Sequence, residues 1–150
     1  MSDLRELYQT VILDHNKNPR NFGELPEPNR RADGYNPLCG DQIRVMLDVE
    51  DDVVQDLRFE GSGCAISTAS ASLMTQAVKG KPLSEALKLF EGFHAMVTAD
   101  ATSEVDASHL GKLAVFAGVR EFPMRVKCAT LAWHTMKNAI EGRGEVAKTE

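Results

Sequence analysis

Three cysteines and one aspartate carry most of the chemistry this sequence offers. Cys39 stands in Cys39-Gly40-Asp41, where a loop ends and a strand begins, and Cys64 follows Gly61-Ser62-Gly63 at the first turn of a helix. Cys128 lies near the start of the last helix, just past Arg125 and Lys127. Side chains at such junctions face clefts more often than cores. Near a helix N-terminus, amide groups and the dipole lower a thiol pKa, and Arg125 and Lys127 push the same way for Cys128. The thiolate is the form that binds metal and attacks sulfur. Asp41 is two residues from Cys39, and on an extended segment those side chains point the same way. Three thiolates and a carboxylate suit tetrahedral Zn²⁺, and an oxygen ligand among sulfurs is the most easily displaced. The chain has no Cys-x-x-Cys pair, so spacing alone leaves two readings: a shared metal or thiol site, and three separate cysteines acting as small hydrophobes. Their place at element boundaries, Cys39 and Cys64 beside glycines, rather than in apolar stripes favours the shared site.

Other polar residues offer less. His15, His94, His109 or His134 could pair with a cysteine as base and nucleophile, but each sits where an ordinary helix residue would. Trp133 and Met136 are spaced as packing residues of one helix face. Glu50-Asp51-Asp52 lacks the further ligands and closing Glu of a calcium loop and reads as a solvated turn.

The elements that must position these residues follow from the pattern. Asp3-Leu4-Arg5-Glu6 has capping-box spacing, and Leu4, Leu7, Tyr8, Val11 and Ile12 form a helical stripe from about Asp3 to His15. Asn18-Pro19 stops it. Residues 16–40, with Pro19, Pro26, Pro28 and Pro37, read as one long irregular segment, functional because it ends in the Cys39 motif. Ile43, Val45, Leu47 and Val49 alternate with polar partners as a strand. Asp51-Asp52 turns the chain into a second strand, Val53 to Phe59. A helix rich in small residues follows Cys64 and ends at Gly80. Another runs from Pro82 to about Met96, and Thr98 to Ser108 is polar loop. A short helix through Leu110, Leu113, Ala114 and Ala117 closes at Gly118, and a last helix spans Val126 to about Glu141. The tail from about residue 142 reads as frayed. Strands early and helices late make an α+β domain.

Composition sets outer bounds. A chain of 150 residues suits a single domain, 1–150, with enough length for a real core. A formal net charge of −5 argues against nucleic-acid binding driven by bulk electrostatics. No apolar run reaches membrane-spanning length. An odd cysteine count without a signal peptide points to a reducing cytoplasm.

Four motifs agree, in order, with a known family. Tyr8-Gln9-Thr10-Val11-Ile12-Leu13-Asp14-His15, Asn36-Pro37-Leu38-Cys39-Gly40-Asp41, Gly61-Ser62-Gly63-Cys64-Ala65-Ile66-Ser67 and Phe122-Pro123-Met124-Arg125-Val126-Lys127-Cys128 resemble the IscU/SufU family of iron–sulfur cluster assembly proteins, the SufU type most closely. The resemblance implies a small antiparallel sheet with helices packed on one face. It implies a metal site of Cys39, Asp41, Cys64 and Cys128 holding Zn²⁺, or alternatively iron or a transient [2Fe–2S] cluster. It also implies a partner, a pyridoxal-phosphate cysteine desulfurase (SufS-like), with SufBCD-like machinery or apo-proteins downstream. Cys39 is then the sulfur acceptor, and Arg125 matches an arginine important to that step. The chain departs from the IscU type in carrying Lys127 where a His precedes the last Cys. Glu121-Phe122-Pro123-Met124-Arg125 replaces the Leu-Pro-Pro-Val-Lys chaperone segment, and the stretch 79–108 is longer.

These features frame three readings. The first is a zinc-dependent sulfur acceptor, the second a scaffold for a nascent cluster, and the third a structural zinc domain that docks partners. Lys127 and Arg125 favour the first, and an exchangeable aspartate argues against the third.

Overall fold

The structure is a computed structural model describing residues 2–37, 39–100, 108–142 and 147–148. The first helix, α1 (Ser2–Lys17), ends two residues beyond the expected His15, with Lys17 in its last turn, where a cation complements the carbonyl end. Strands β1 (Arg30–Asn36), β2 (Asp41–Glu50) and β3 (Val53–Ser62) form an antiparallel meander. The β2–β3 connection is Asp51-Asp52, both at positive φ (52° and 60°), the left-handed pair that a two-residue hairpin turn requires and Asp tolerates.

Strand β1 corrects the expectation of one irregular segment over 16–40. Its inward positions are Ala32, Gly34 and Asn36, so the strand has an alternating burial pattern without an alternating apolar one. Packing explains the glycine. A Cβ at Gly34 would lie 2.0 Å from Thr135 Oγ1 and 3.1 Å from Leu131 Cδ1, both on the helix that crosses β1.

The helices α2 (Ala65–Val78), α3 (Leu83–Thr98) and α4 (Pro123–Glu141) follow, with two short 3-10 pieces over Ser108–Glu121 broken at Gly111. Three boundaries differ from expectation. α4 starts at Pro123 rather than Val126, because proline at the first helical position loses no hydrogen bond. The 3-10 segment passes Gly118 and runs to Glu121. The polar loop expected over 98–108 lies largely outside the described residues. Nor is the tail simply frayed: β4 (Ala147–Lys148) pairs in parallel with Gly34 and Tyr35, on the β1 edge that β2 leaves open.

Helices α2 and α4 cover the sheet. One cluster joins Val45, Leu47, Leu57 and Phe59 of the sheet to Met74, Phe93, Phe116, Leu131, Trp133 and Met136. On β2 and its neighbours, Arg44 meets exposed Asp33 at 2.8 Å and Glu60 at 3.9 Å. Most small residues of α2 are buried: Ser67, Ala69, Ser70, Ala71 and Ser72. They bring its backbone close to α4, where Ser70 Oγ donates to the Ala129 carbonyl at 2.6 Å. Ser72 Oγ bonds His15 Nδ1 at 2.6 Å and accepts from Arg20 N at 2.8 Å, tying α1 and the chain beyond it to α2. No helix among the described residues is long and apolar enough to cross a membrane.

Candidate metal and thiol site

Three junctions meet at one end of the sheet. The β1–β2 connection, residues 37–40, contributes Cys39, and the pair Asn36 and Asp41 faces across its base. The end of β3 runs into Gly63 and Cys64, and α4 contributes Cys128 from its second turn. Ligand atoms of Cys39, Asp41 and Cys128 lie within 4.8 Å of one another. The Cys39 and Cys128 sulfurs are 3.5 Å apart. Cys64 joins the group through Asp41, its Sγ 3.9 Å from Oδ2 and its backbone N–H donating to Oδ1 at 2.9 Å. Three of the four residues singled out from the sequence therefore lie in reach of one ion, and Cys64 adjoins them through Asp41.

The route to convergence differs from the one expected. Cys39 and Gly40 lie in a turn, not on an extended segment, so Asp41 meets Cys39 by chain reversal. Gly63 makes room for this carboxylate: a Cβ there would stand 2.6 Å from Asp41 Oδ1. Asp41 is fully buried, Cys128 is 4% exposed, Cys64 is half-buried, and Cys39 is exposed. A cluster with one open member, one half-buried and two enclosed results.

The thiols are not electrostatically alike. Cys64 is the N-cap of α2 and accepts from Ser67 N at 3.5 Å. A hydrogen bond from the Cys128 thiol, then the α2 amides of Ser67 and Ile66, bring its pKa down from 9.0 to about 6 against burial and Asp41. The helix-terminus expectation holds there. For Cys128 it fails, because α4 begins at Pro123 and Cys128 lies beyond the first turn, where the dipole fades. Donation to Cys64, then burial, push the Cys128 thiol up. The amide of Asn36 approaches Cys128 Sγ at 3.7 Å.

Arg125 lies on α4 one turn before Cys128. Its guanidinium is 4.5 Å from the Phe122 ring centre and stands beside the Tyr8 hydroxyl. Burial raises the Tyr8 pKa against the pull of Arg125, and the Cys64 thiolate raises it further. Asn36, Gly63 and Tyr8 are thus neighbours of the site that the sequence reading did not single out by role. Two of them stood in the quoted motifs beside the cysteines, which was the available signal. The histidines go elsewhere among the described side chains. His15 bonds Ser72, His94 stacks on Phe90, and His134 meets both rings edge-on; the His109 side chain lies outside the described ones.

Donor chemistry fits a borderline-soft divalent ion: thiols and one carboxylate, grouped at distances a shared ion would bridge. The family model for the NifU-like N-terminal domain matches residues 7–141. A Bacillus subtilis protein named zinc-dependent sulfurtransferase SufU is 44% identical over 139 residues, 93% of this chain and 92% of that one. The Streptococcus pyogenes iron–sulfur cluster assembly scaffold protein IscU is 42% identical over 94% of this chain and 87% of its own. A solved structure from Fervidobacterium islandicum, described as a putative cluster assembly scaffold for the SUF system, superposes with a TM-score of 0.82 at 33% identity. It covers 91% of this chain and 98% of that one.

Proposed function

This chain belongs to the family of NifU-like N-terminal domains, and on that premise we propose that it serves iron–sulfur cluster assembly by accepting persulfide sulfur from a cysteine desulfurase onto Cys39. The observation that carries the reading is the contrast in exposure. Cys39 is open to a partner, while Asp41 and Cys128 behind it are buried and in reach of it.

Cys39, Asp41, Cys64 and Cys128 would hold Zn²⁺. Bound zinc keeps thiols deprotonated and shields them from oxidation. The chain's own residues then divide the work. Docking of a SufS-like, pyridoxal-phosphate desulfurase leaves Cys39 as a free thiolate. That thiolate attacks the outer sulfur of the enzyme's persulfide, and a new S–S bond forms on Cys39 as the desulfurase thiolate departs. Arg125, with its fixed planar charge, steadies the resulting anion. Downstream, SufBCD-like machinery or apo-proteins receive the sulfur.

A second reading, a scaffold on which a cluster is built, draws support from the scaffold relatives and from thiolates that bind iron–sulfur clusters as readily as zinc. Lys127, standing where the IscU type carries histidine, favours the first. Elemental analysis of the aerobically purified protein with its visible spectrum separates them. About one zinc per chain and no colour, with the metal lost in Cys128→Ala, supports sulfur acceptance. Brown protein carrying iron and acid-labile sulfide supports the scaffold.

A further inference from the structure

The sulfur atom that reaches Cys39 must leave again, and the geometry beneath it supplies a route. Cys39 Sγ touches one other sulfur among the described contacts, that of Cys128 at 3.5 Å. Cys128 is 4% exposed and Asp41 fully buried. The inner side of Cys39 is therefore filled, and only its outer side is open. A persulfide sulfur on Cys39 must occupy that open side, opposite Cys128. A sulfur carried there would leave on the side away from Cys128, which suits displacement at the Cys39 sulfur.

We propose that Cys128 resolves the Cys39 persulfide, releasing the transferred sulfur as hydrosulfide and leaving a Cys39–Cys128 disulfide. The inference rests on the sulfur-acceptor reading and extends it from receipt of sulfur to its release. A bond forms between Cys128 Sγ and Cys39 Sγ as the bond from Cys39 Sγ to the outer sulfur breaks. The outer sulfur gains two electrons and leaves as hydrosulfide, with the persulfide's own proton or, where zinc is absent, the one from Cys128. The two cysteine sulfurs each lose one electron. A single turnover thus needs no outside reductant, and a dithiol reductant returns the pair to thiols before the next.

Burial also decides which thiol acts. Cys128 is shielded from solution thiols, so Cys39 is the sulfur partner it meets. Cys64 also borders Cys128, from which it accepts a hydrogen bond, but among the described contacts only Cys128 meets the Cys39 sulfur. Contact of this kind gives an intramolecular thiol a large advantage over thiols in solution.

The test uses the zinc-loaded protein with a cysteine desulfurase and cysteine, without added thiol, followed by acid quench, peptide mass mapping and a sulfide assay. The expected result is transient persulfide on Cys39, then a peptide linking Cys39 to Cys128, with sulfide appearing in step. With both proteins stripped of zinc after sulfur transfer, the Cys39 persulfide of Cys128→Ser should outlast that of the unaltered protein at least about tenfold, the modest end of proximity effects. Should Cys128→Ser fail to fold, the linked peptide in the unaltered chain still decides. A Cys39 persulfide that persists with no linked peptide overturns the inference and leaves sulfur acceptance standing. So does a disulfide joining Cys39 to Cys64 or to the desulfurase. No persulfide on Cys39 at any time overturns the sulfur-acceptor reading, and this inference with it.

Discussion

Gly63 holds its place because Asp41 needs the space, and that can be measured. In Gly63→Ala the new Cβ would lie 2.6 Å from Asp41 Oδ1, 3.0 Å from Cγ and 3.2 Å from Cβ. All three atoms belong to one fully buried side chain, so the carboxylate must shift by most of an ångström to restore ordinary contact. That movement breaks the 2.9 Å bond from Cys64 N. A hydrogen bond to a charged group contributes about 1.5–3 kcal/mol. Alanine offsets part of the loss, about 0.4–1 kcal/mol, by restricting the unfolded chain, since Gly63 does not have a left-handed φ. The net expectation is destabilisation of the metal-free protein by about 1–2 kcal/mol, or roughly 2–8 °C in Tm. Urea unfolding of the chelator-stripped protein measures it. A double-mutant cycle isolates the cause: in an Asp41→Ala background, Gly63→Ala should cost nothing, or stabilise slightly, because no carboxylate remains to displace. Equal costs in both backgrounds would refute the steric account.

Other consequences follow from the same geometry. Asp41→Ala should slow release of bound zinc to a competing chelator, since the oxygen ligand is the displaceable one; faster release contradicts that role. In the metal-free protein, one thiolate of the Cys64–Cys128 pair should titrate near pH 6, seen in ultraviolet absorbance and missing from Cys64→Ser and Cys128→Ser. Because the folded pKa lies below the unfolded one, the stability this provides is present at pH 9, declines as pH falls towards about 6, and is gone below it. A flat stability profile across that window would contradict the coupling. Ser72→Ala strips a partner from both buried His15 and Arg20 N, and should cost about 1–3 kcal/mol in urea unfolding.

The parts of the fold that were legible had local, self-contained signals. The stripe of α1, the alternation of β2 and the Asp51-Asp52 turn each obey a period or a φ preference within a few residues. Strand β1 did not, because its inward face is built of Ala32, Gly34 and Asn36 to admit α4 and the site. Its pattern makes sense only once Thr135 and Leu131 are seen against Gly34. The start of α4 was obscured by Pro123, read as loop although it also suits a first turn. That shift of one turn reversed the expectation for Cys128: its thiol answers to Cys64 and burial, not to the helix end. The cluster itself was legible from residue type, from the glycines beside Cys39 and Cys64, and from the element boundary at Cys128. The division into one exposed thiol and buried partners required the three-dimensional meeting of the β1–β2 turn, the β3–α2 junction and α4.

The central claim is that Cys39 receives sulfur, and intact-protein mass measurement tests it most directly. The zinc-loaded chain is incubated with a cysteine desulfurase and cysteine, quenched at once, and compared with Cys39→Ala. Cys39 is exposed, so its truncation should leave the fold intact. The account predicts a species heavier by one sulfur atom in the unaltered chain, located on Cys39 by peptide mapping and absent from Cys39→Ala. Sulfur addition that persists in Cys39→Ala, or that maps to Cys64 or Cys128 as the first site modified, would contradict it.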